Sequence, residues 1–360
     1  MTQTEGEVQC MMMRGGSSKG AYFLAGDLPS ERVERDDLLR RIMGTPDARQ
    51  IDGIGGAHPL TSKVAIVSRS TRSDADVEYL FLQVGVEDAI VSDRQNCGNL
   101  LAGVAPFAIE RGLVHVDSSA ATATLRIHME NTASVATATV NVHGGMPVYS
   151  GTTAVSGVPG AAAPIRLEFA DIAGGTAGSL LPTGSVRDRV CGVDCTLIDN
   201  GMPVVVLRAD AAGVTGYESC ADLEANPSLG TFLEALHLEA GQLMGLGDVS
   251  EATVPKICLV APPRAGGVLS TRTFIPRRCH DAIGVLGAVS VATAALLPGS
   301  PSSEVMAPIA GDSVILEHPT GLFEATIEIS RHGGQVVVER AGIVRTARKL
   351  MDGVVYPRSD

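Results

Sequence analysis

A cysteine stands at the start of a predicted apolar helix. Cys97 lies in the segment QNCGN at residues 95–99, directly before a long apolar stretch. The dipole and the free N–H groups of a helix N-terminus, here near Gly98, favour a thiolate and bind carboxylates. The side-chain amides of Asn96 and Asn99 add neutral hydrogen-bond donors. A small buried cysteine at a helix cap has the same local sequence, so these residues alone leave a reactive and a structural thiol both open.

A glycine-rich loop, DGIGGAHPLTS at residues 52–62, leads to Lys63 at the start of a predicted strand. A lysine amine that is packed among apolar β-residues loses hydration, which favours its neutral form and makes it a usable base. The structural alternative is a lysine with a buried aliphatic stem whose amine reaches water. Lys63 is therefore a candidate base.

Two further segments contain groups that suit an anionic substrate. The segment RGGSSKG at residues 14–20 departs from the Walker pattern in its glycine spacing, but its hydroxyls, lysine and backbone N–H groups suit a carboxylate. Arg272 and Arg278 precede Cys279, and arginine holds carboxylates through a bidentate fork. An ordinary glycine turn and a solvated charge cluster are the respective structural alternatives.

Cysteine and histidine spacing gives little support for a metal site. Cys191 and Cys195 are separated by three residues, which is not a standard ligand spacing, and no pair of histidines accompanies them. We therefore predict no metal. The seven cysteines are irregularly spaced, and we expect free thiols in a cytoplasmic protein.

Composition excludes several classes of protein. The chain of 360 residues is 45% hydrophobic and 19% charged, which is typical of a well-packed globular protein. Its net charge is −12 and it has no basic run, so we expect no nucleic-acid partner. The apolar stretch at residues 282–297 is too short and too rich in small residues for a membrane span. No signal peptide is recognisable at residues 1–7, and we expect no membrane partner.

Hydrophobic periodicity predicts many strands and few helices. The predicted strands cover residues 63–68, 77–86, 122–128, 134–142, 166–169, 194–198, 203–207, 256–261, 313–316, 324–329 and 335–339. The predicted helices cover residues 36–43, 99–111, 228–244 and 282–297. The second and fourth helices are apolar on most sides, which predicts burial on most sides. Pro106 is expected to bend or interrupt the second helix.

The order of these elements repeats along the chain. A segment MRGG at residues 13–16 is followed by strands, by Cys97 before an apolar helix, and by a pair of strands. A segment DNGM at residues 199–202 is followed by strands, by Cys279 near a second apolar helix, and by another pair. We therefore predict an α+β protein with two similar domains, residues 1–182 and 183–360, and a ligand site in a cleft between them.

Several segments together resemble the PrpF protein family, and the resemblance spans nearly the whole chain. They are MRGGSSKG at residues 13–20, PDARQIDG at 46–53, LTSKVA at 60–65, QNCGN at 95–99, IDNGMP at 198–203 and IGVLGAVS at 283–290. The resemblance implies a diaminopimelate-epimerase-like fold, in which each of two pseudo-symmetric domains curls a sheet around a central helix. It also implies that the last strand can return to the first domain and that the protein can form a homodimer.

The same resemblance implies an isomerase without a cofactor. The expected substrate is 4-oxalomesaconate, an unsaturated keto-tricarboxylate of gallate and protocatechuate catabolism; aconitate or 2-methylaconitate is the alternative. Diaminopimelate epimerases use two cysteines, whereas the PrpF family implicates the lysine that matches Lys63 together with Cys97. The implied substrate contacts are Ser17, Ser18, Lys19, Ser62, Asn96, Gly98, Asn99, Met202, Arg272 and Arg278. A small-acid-binding protein without catalysis is a third possibility, but it would be expected to lack Cys97 or Lys63.

Overall fold

A computed structural model describes most of the chain, namely residues 6–93, 96–169, 172–250, 252–275, 277–309, 313–332 and 335–359, without the side chains of residues 331–336. It contains two compact units. The first comprises Met1–Glu168 and Val344–Asp360, and the second comprises Phe169–Ile343. Gln95, which belongs to the cysteine segment, lies outside the described residues.

Among the described residues, the first unit contains two α-helices and eleven strands, besides part of the last strand of the chain. Its helices are α1 (Arg32–Met43) and α2 (Gly98–Glu110). Its strands are β1 (Val8–Gly15), β2 (Ser18–Leu24), β3 (Lys63–Arg69), β4 (Val77–Val84), β5 (Val91–Ser92), β6 (Thr122–Met129), β7 (Ser134–His143), β8 (Met146–Pro147), β9 (Thr153–Ala154), β10 (Ala161–Ala162) and β11 (Pro164–Phe169).

In the part of the second unit that the structure describes, there are three α-helices. They are α3 (Cys220–Glu224), α4 (Pro227–Leu243) and α5 (Val285–Leu296). Its strands are β12 (Asp188–Val190), β13 (Val193–Asp199), β14 (Pro203–Arg208), β15 (Lys256–Ala261), β16 (Leu269–Ile275), β17 (Arg278–Cys279), β18 (Ser313–His318) and β19 (Gly321–His332). The long last strand, β20 (Gln335–Val355), belongs to both units.

The strands of the first unit pair in a closed circuit around α2. Antiparallel pairs β1–β2, β3–β4 and β6–β7 alternate with parallel pairs β2–β3 and β4–β6. Pairings of β7 with β11, β11 with β20 and β20 with β1 complete the circuit. Every residue of α2 from Leu100 to Ile109 is buried, as its apolar sequence predicts for a helix inside a curled sheet.

The second unit repeats this pattern. Antiparallel pairs β13–β14, β15–β16 and β18–β19 alternate with parallel pairs β14–β15 and β16–β18. The buried helix α5 packs on β13, β14, β18 and β19, in the role that α2 has in the first unit. The predicted α+β fold with two similar units, each curled around a central helix, is confirmed.

The division between the units differs from the predicted boundary between residues 182 and 183. Residues 172–182 belong to the second unit because they bond to its strand β13. The N–H of Gly174 donates to the carbonyl of Asp199 at 2.7 Å, and the N–H of Asp199 donates to the carbonyl of Leu180 at 2.9 Å. At the other end, β20 returns to the first unit and pairs with β1 from Val355 at Val8 to Ala347 at Gly15.

The helix α2 continues through Pro106, where the sequence predicted a bend or a break. Proline has no N–H to donate within the helix. The residues on both sides of Pro106 are fully buried, and this packing on all sides holds the helix together despite the missing bond. No helix in the described part of the chain is long and apolar enough to cross a membrane.

Candidate active site

Cys97 is the residue that immediately precedes α2. Its backbone is extended, with φ −130° and ψ 94°, and its side chain does not cap the helix. The carbonyl of Cys97 accepts the first helical bond, from Leu101 at 3.0 Å, and a bond from the hydroxyl of Tyr79 at 3.3 Å. The thiol is free and half-buried. It is therefore positioned beside the unpaired N–H groups of the first helical turn, which attract anionic groups.

Asn96 fixes the backbone at this cysteine. Its Oδ1 accepts a hydrogen bond from the N–H of Cys97 at 2.7 Å, while its Nδ2 donates to Sδ of Met129 at 2.9 Å. Both ends of the amide are therefore engaged with the protein. The structure gives Asn96 a positioning contact where the sequence predicted a substrate contact.

Lys63 is buried at the start of β3, with 7% of its surface exposed. Its Nζ donates to Oε1 of Gln83 at 2.8 Å and lies 5.0 Å from the centre of the Phe81 ring. Among the described residues, no carboxylate bonds to this amine. An amide oxygen and an aromatic face hold the amine in place.

Gln83 is a site residue that the sequence prediction missed. Its Nε2 donates to the carbonyl of Pro59 at 3.1 Å and to that of Ser62 at 3.0 Å. These two bonds fix the amide so that Oε1 faces Lys63. The signal lay in the strand register, because Lys63 and Gln83 are direct partners in the antiparallel pair β3–β4.

Lys63 and Cys97 lie on the same side of the sheet. Tyr79, Phe81 and Gln83 alternate along β4, so their side chains share one face. Tyr79 bonds to the carbonyl of Cys97 and Gln83 bonds to Lys63, which places both candidates on the face that covers α2. Burial raises the pKa of Tyr79 well above its usual value, so this phenol is a neutral donor.

Two glycine positions allow the strands to approach the start of α2. A Cβ at Gly20 would lie 2.6 Å from the carbonyl oxygen of Lys63 and 2.8 Å from Cδ2 of Leu100. A Cβ at Gly16, whose φ is +50°, would lie 2.1 Å from Oδ1 of Asn99. The hairpin between β1 and β2 thus touches both the base candidate and the first turn of α2, and only glycine fits at these contacts.

The hairpin also presents two hydroxyls. Ser17 Oγ accepts a hydrogen bond from Nδ2 of Asn99 at 3.2 Å. Ser18 is 2% exposed, and its Oγ has no hydrogen-bond partner among the described residues. An unpaired buried hydroxyl costs about 1–3 kcal/mol, and an oxyanion bound here would remove that cost.

Comparison with known families matches residues 6–358 to the PrpF protein family. The chain belongs to the PrpF family. Two curated relatives are each 56% identical to it. The (4E)-oxalomesaconate Delta-isomerase of Novosphingobium sp. strain KA1 aligns over 349 residues, 96% of each chain. The 4-oxalomesaconate tautomerase of Pseudomonas putida strain KT2440 aligns over 350 residues, 97% of this chain and 95% of that protein.

A solved structure extends the similarity to three dimensions. The crystal structure of a methylitaconate-delta-isomerase superposes on this PrpF chain with a TM-score of 0.84 and 33% sequence identity, over 98% of this chain and 95% of that one. The protein is therefore an isomerase with the diaminopimelate-epimerase-like fold that its sequence predicted.

Two predicted contacts in the first unit of this PrpF protein have other surroundings. Ser62 is fully buried, and its Oγ donates to Oε1 of Gln50 at 2.6 Å, a contact that holds the loop before Lys63. Lys19 alternates with Ser18 and Gly20 along β2, so its side chain lies on the opposite face of the strand. The candidate set on the face of α2 is thus Ser18, Lys63 and Cys97, with Ser17 and Asn99 at its edge.

The other predicted contacts of the PrpF protein, Met202, Arg272 and Arg278, lie in the second unit. Arg272 is 8% exposed and donates from Nε to the carbonyl of Glu218 at 2.8 Å and from Nη1 to that of Thr271 at 2.9 Å. Arg278 is exposed in β17. The backbone carbonyl of Met202 accepts a hydrogen bond from Oγ of Ser290 at 2.7 Å. Arg272 is therefore held by backbone carbonyls.

The second unit has a buried polar cluster at the place that corresponds to the hairpin of the first. The N–H of Asn200 donates to Oγ of Ser290 at 3.0 Å, and its Nδ2 donates to Oγ1 of Thr293 at 2.9 Å. Asp199 accepts from the N–H groups of Thr176 and Ala177, and burial raises its pKa. Within the described ranges, no group of three metal-ligating side chains occurs in either unit.

Proposed function

We propose that this PrpF-family isomerase acts on 4-oxalomesaconate and moves a proton between two carbons of its allylic system, so that the carbon–carbon double bond migrates. The two relatives at 56% identity, named for 4-oxalomesaconate, support the substrate. The names of the Novosphingobium relative and of the solved structure specify a Delta-isomerase, which supports double-bond migration, whereas the Pseudomonas relative is named a tautomerase, so keto–enol exchange is the competing reaction.

The observation that carries the proposal is the environment of Lys63. Lys63 is buried, and its amine bonds to the amide oxygen of Gln83 rather than to a carboxylate of the described residues, so no ion pair has to be broken when the amine meets the substrate. Cys97 lies on the same face of the sheet, beside the start of α2. A base and an acid on one face suit a transfer between two carbons of one planar substrate.

The proposed reaction proceeds in two proton transfers. Lys63 Nζ takes a proton from one carbon, and the electron pair of the broken C–H bond delocalises over the conjugated carbonyl and carboxylate as a dienolate. Cys97 Sγ then delivers its proton to the other end of the allylic system, which forms the new C–H bond. Loss of a proton from Lys63 to water and gain of one by Cys97 restore the starting state. Positioned acid and base groups of this kind contribute ~10²–10⁴-fold.

Binding of the substrate carboxylates is assigned to the start of α2 and the hairpin. The free N–H groups after Gly98 and the unpaired hydroxyl of Ser18 are neutral donors that require no counter-charge. Ser17 and Asn99 hold each other at the edge of this region. Donors aimed at the site where negative charge develops stabilise the dienolate, which is usually the largest contribution to the rate.

A substrate panel tests this proposal. The purified protein is incubated with 4-oxalomesaconate, aconitate and 2-methylaconitate, and the position of the double bond is followed by proton NMR. We expect turnover of 4-oxalomesaconate with a kcat/KM at least about tenfold above the other two acids, since loss of a recognised polar group costs that much or more. The Lys63→Met variant controls for uncatalysed isomerisation.

A preference for aconitate or 2-methylaconitate would reject the proposed substrate and retain the reaction class. Exchange between keto and enol forms without any shift of the carbon–carbon double bond would reject double-bond migration. Turnover of none of the three acids would reject both.

A further inference from the structure

A second cationic region lies in the first unit, apart from Lys63 and Cys97. It is a cavity of about 470 Å³ whose lining includes Arg14, Tyr149, Thr346 and Arg348, together with residues 158–162. None of the described residues that line this cavity is acidic. In a protein with a net charge of −12, such a cavity is unusual enough to require a reason.

Strand register brings the positive charges together. Arg14 in β1 pairs directly with Arg348 in β20 on one side and with Lys19 in β2 on the other. Directly opposed residues in adjacent strands point their side chains to the same face. Three cationic side chains therefore form a row across three strands.

This row lies on the face of the sheet opposite to α2. Gly15 alternates with Arg14 along β1, and Gly20 alternates with Lys19 along β2. Both glycines touch α2. A Cβ added at Gly15 would lie 2.4 Å from the carbonyl oxygen of Asn99, and one added at Gly20 would lie 2.8 Å from Cδ2 of Leu100. Successive residues of a strand face opposite sides. The cavity is thus a separate place from the candidate active site.

The positive charges of this row are not paired with an acid among the residues that the structure describes. In the described part of the chain, no carboxylate bonds to Lys19, Arg14 or Arg348, whereas arginines such as Arg72 and Arg126 pair with aspartates. Nη1 of Arg14 instead donates to the carbonyl of Gly16 at 2.8 Å and to Oγ1 of Thr346 at 3.0 Å. The pKa of Arg14 is lowered by burial and by the charge of Arg348.

Tyr149, which lines the cavity, is bonded to an acid that is itself paired with a lysine. Glu110 accepts from the hydroxyl of Tyr149 at 2.6 Å and forms an ion pair with Lys349. Like charges opposed across a sheet are destabilising, and no carboxylate of the described residues bonds to Arg14 or Arg348 to offset their repulsion. A bound anion with two or more charges would offset it.

We propose that this cavity binds a compact oxyanion of at least two charges, bridged between Arg14 and Arg348, as a site distinct from the catalytic one. Arginine suits such ligands because its planar fork donates two parallel hydrogen bonds to a carboxylate or a phosphate group. Both inorganic phosphate and a small polycarboxylate provide this chemistry. The site does not depend on the proposed reaction, since none of its residues takes part in proton transfer.

Isothermal titration calorimetry tests the site, with phosphate and citrate as separate probes at an ionic strength fixed by sodium chloride. We expect saturable binding of at least one probe, weakened about tenfold or more by Arg348→Gln, because a charge-assisted hydrogen bond to an anion contributes about 1.5–3 kcal/mol. Arg348 is exposed and its side chain has no described partner, so the variant is expected to fold. The probe that binds identifies the source as phosphate or as a polycarboxylate.

Two control variants make the outcome specific. Arg32→Gln removes an exposed arginine of the same unit that pairs with Asp36 and Asp93, and it should bind the probe as the unchanged protein does. Lys63→Ala should also retain this binding. If Lys63→Ala loses binding while Arg348→Gln keeps it, the anion is bound at the catalytic site and the proposal is overturned. Binding of neither probe would overturn it as well.

Discussion

At the scale of single residues, the side chain of Gln83 decides how the amine of Lys63 is held. Its Oε1 accepts from the lysine amine, while its Nε2 is held by the carbonyls of Pro59 and Ser62. The sequence alone singled out Lys63 and Cys97, because their types and neighbours are distinctive. It did not single out Gln83, because a glutamine in a strand has no chemical signature until its cross-strand partner is known.

The Gln83→Glu variant tests this role. A carboxylate beside the amine stabilises its charged form, so the neutral base is present only at higher pH. The acidic limb of the profile of kcat/KM against pH should therefore move upward by about one unit or more. The control Gln83→Met keeps the side-chain length without adding a charge, so it should lower activity without this upward shift. An acidic limb in Gln83→Glu that superimposes on that of the unchanged protein would contradict the role.

At the scale of elements, the sequence predicted the central helices and most, but not all, of the strands around them. The apolar stretches at residues 99–111 and 282–297 predicted α2 and α5 to within a few residues, because an uninterrupted apolar run is sufficient to predict a buried helix. The strands β1, β2 and β16 were missed, since their alternation is obscured where both faces are buried. The opposite orientations of Ser18 and Lys19 depend on β2, so the sequence could not separate them.

Gly16→Ala tests the contact between the hairpin and α2. The new Cβ would meet Oδ1 of Asn99 at 2.1 Å in a backbone with φ +50°, so the bond between Asn99 and Ser17 should be lost. We expect kcat/KM to fall about tenfold or more, and the free energy of unfolding to fall by about 1–3 kcal/mol.

The matched control for this change is Gly26→Ala. Gly26 has no heavy atom within 4 Å of an added Cβ, so activity and stability should stay close to those of the unchanged protein. Equal activity in the Gly16 and Gly26 variants would show that the hairpin contact does not support the site.

At the scale of the whole molecule, the two ends of the chain build one unit together. The end of β20 returns to pair with β1, and Val355 packs in the same apolar cluster as Val8 and Leu39. The repeat in the sequence predicted two similar units, but it placed their boundary at residue 183. The position where the sequence repeat begins again differs from the position where the chain passes from the packing of one unit to that of the other. Hydrogen bonds from Gly174 and Asp199 draw the preceding segment into the second unit.

Val355→Asp tests this joint construction. Val355 is 5% exposed, so an aspartate there would bury a charge in an apolar cluster and should lower the free energy of unfolding by about 3 kcal/mol or more. Hydrogen exchange should accelerate in residues 8–15 before it does so in β13 and β14. The exposed neighbour Tyr356, changed to Ser, is the control and should have little effect. Uniform acceleration in both units would contradict this division.

The most direct test of proton transfer by Lys63 and Cys97 is solvent exchange. The unchanged protein, Lys63→Ala and Cys97→Ser are each incubated with 4-oxalomesaconate in D₂O, and deuterium is located by NMR and mass spectrometry. We expect the unchanged protein to incorporate one deuterium at the carbon that gains a proton. Lys63→Ala should lose both exchange and isomerisation, whereas Cys97→Ser should exchange the abstracted proton and isomerise slowly. Isomerisation and exchange at full rate in Lys63→Ala would contradict its role as the base.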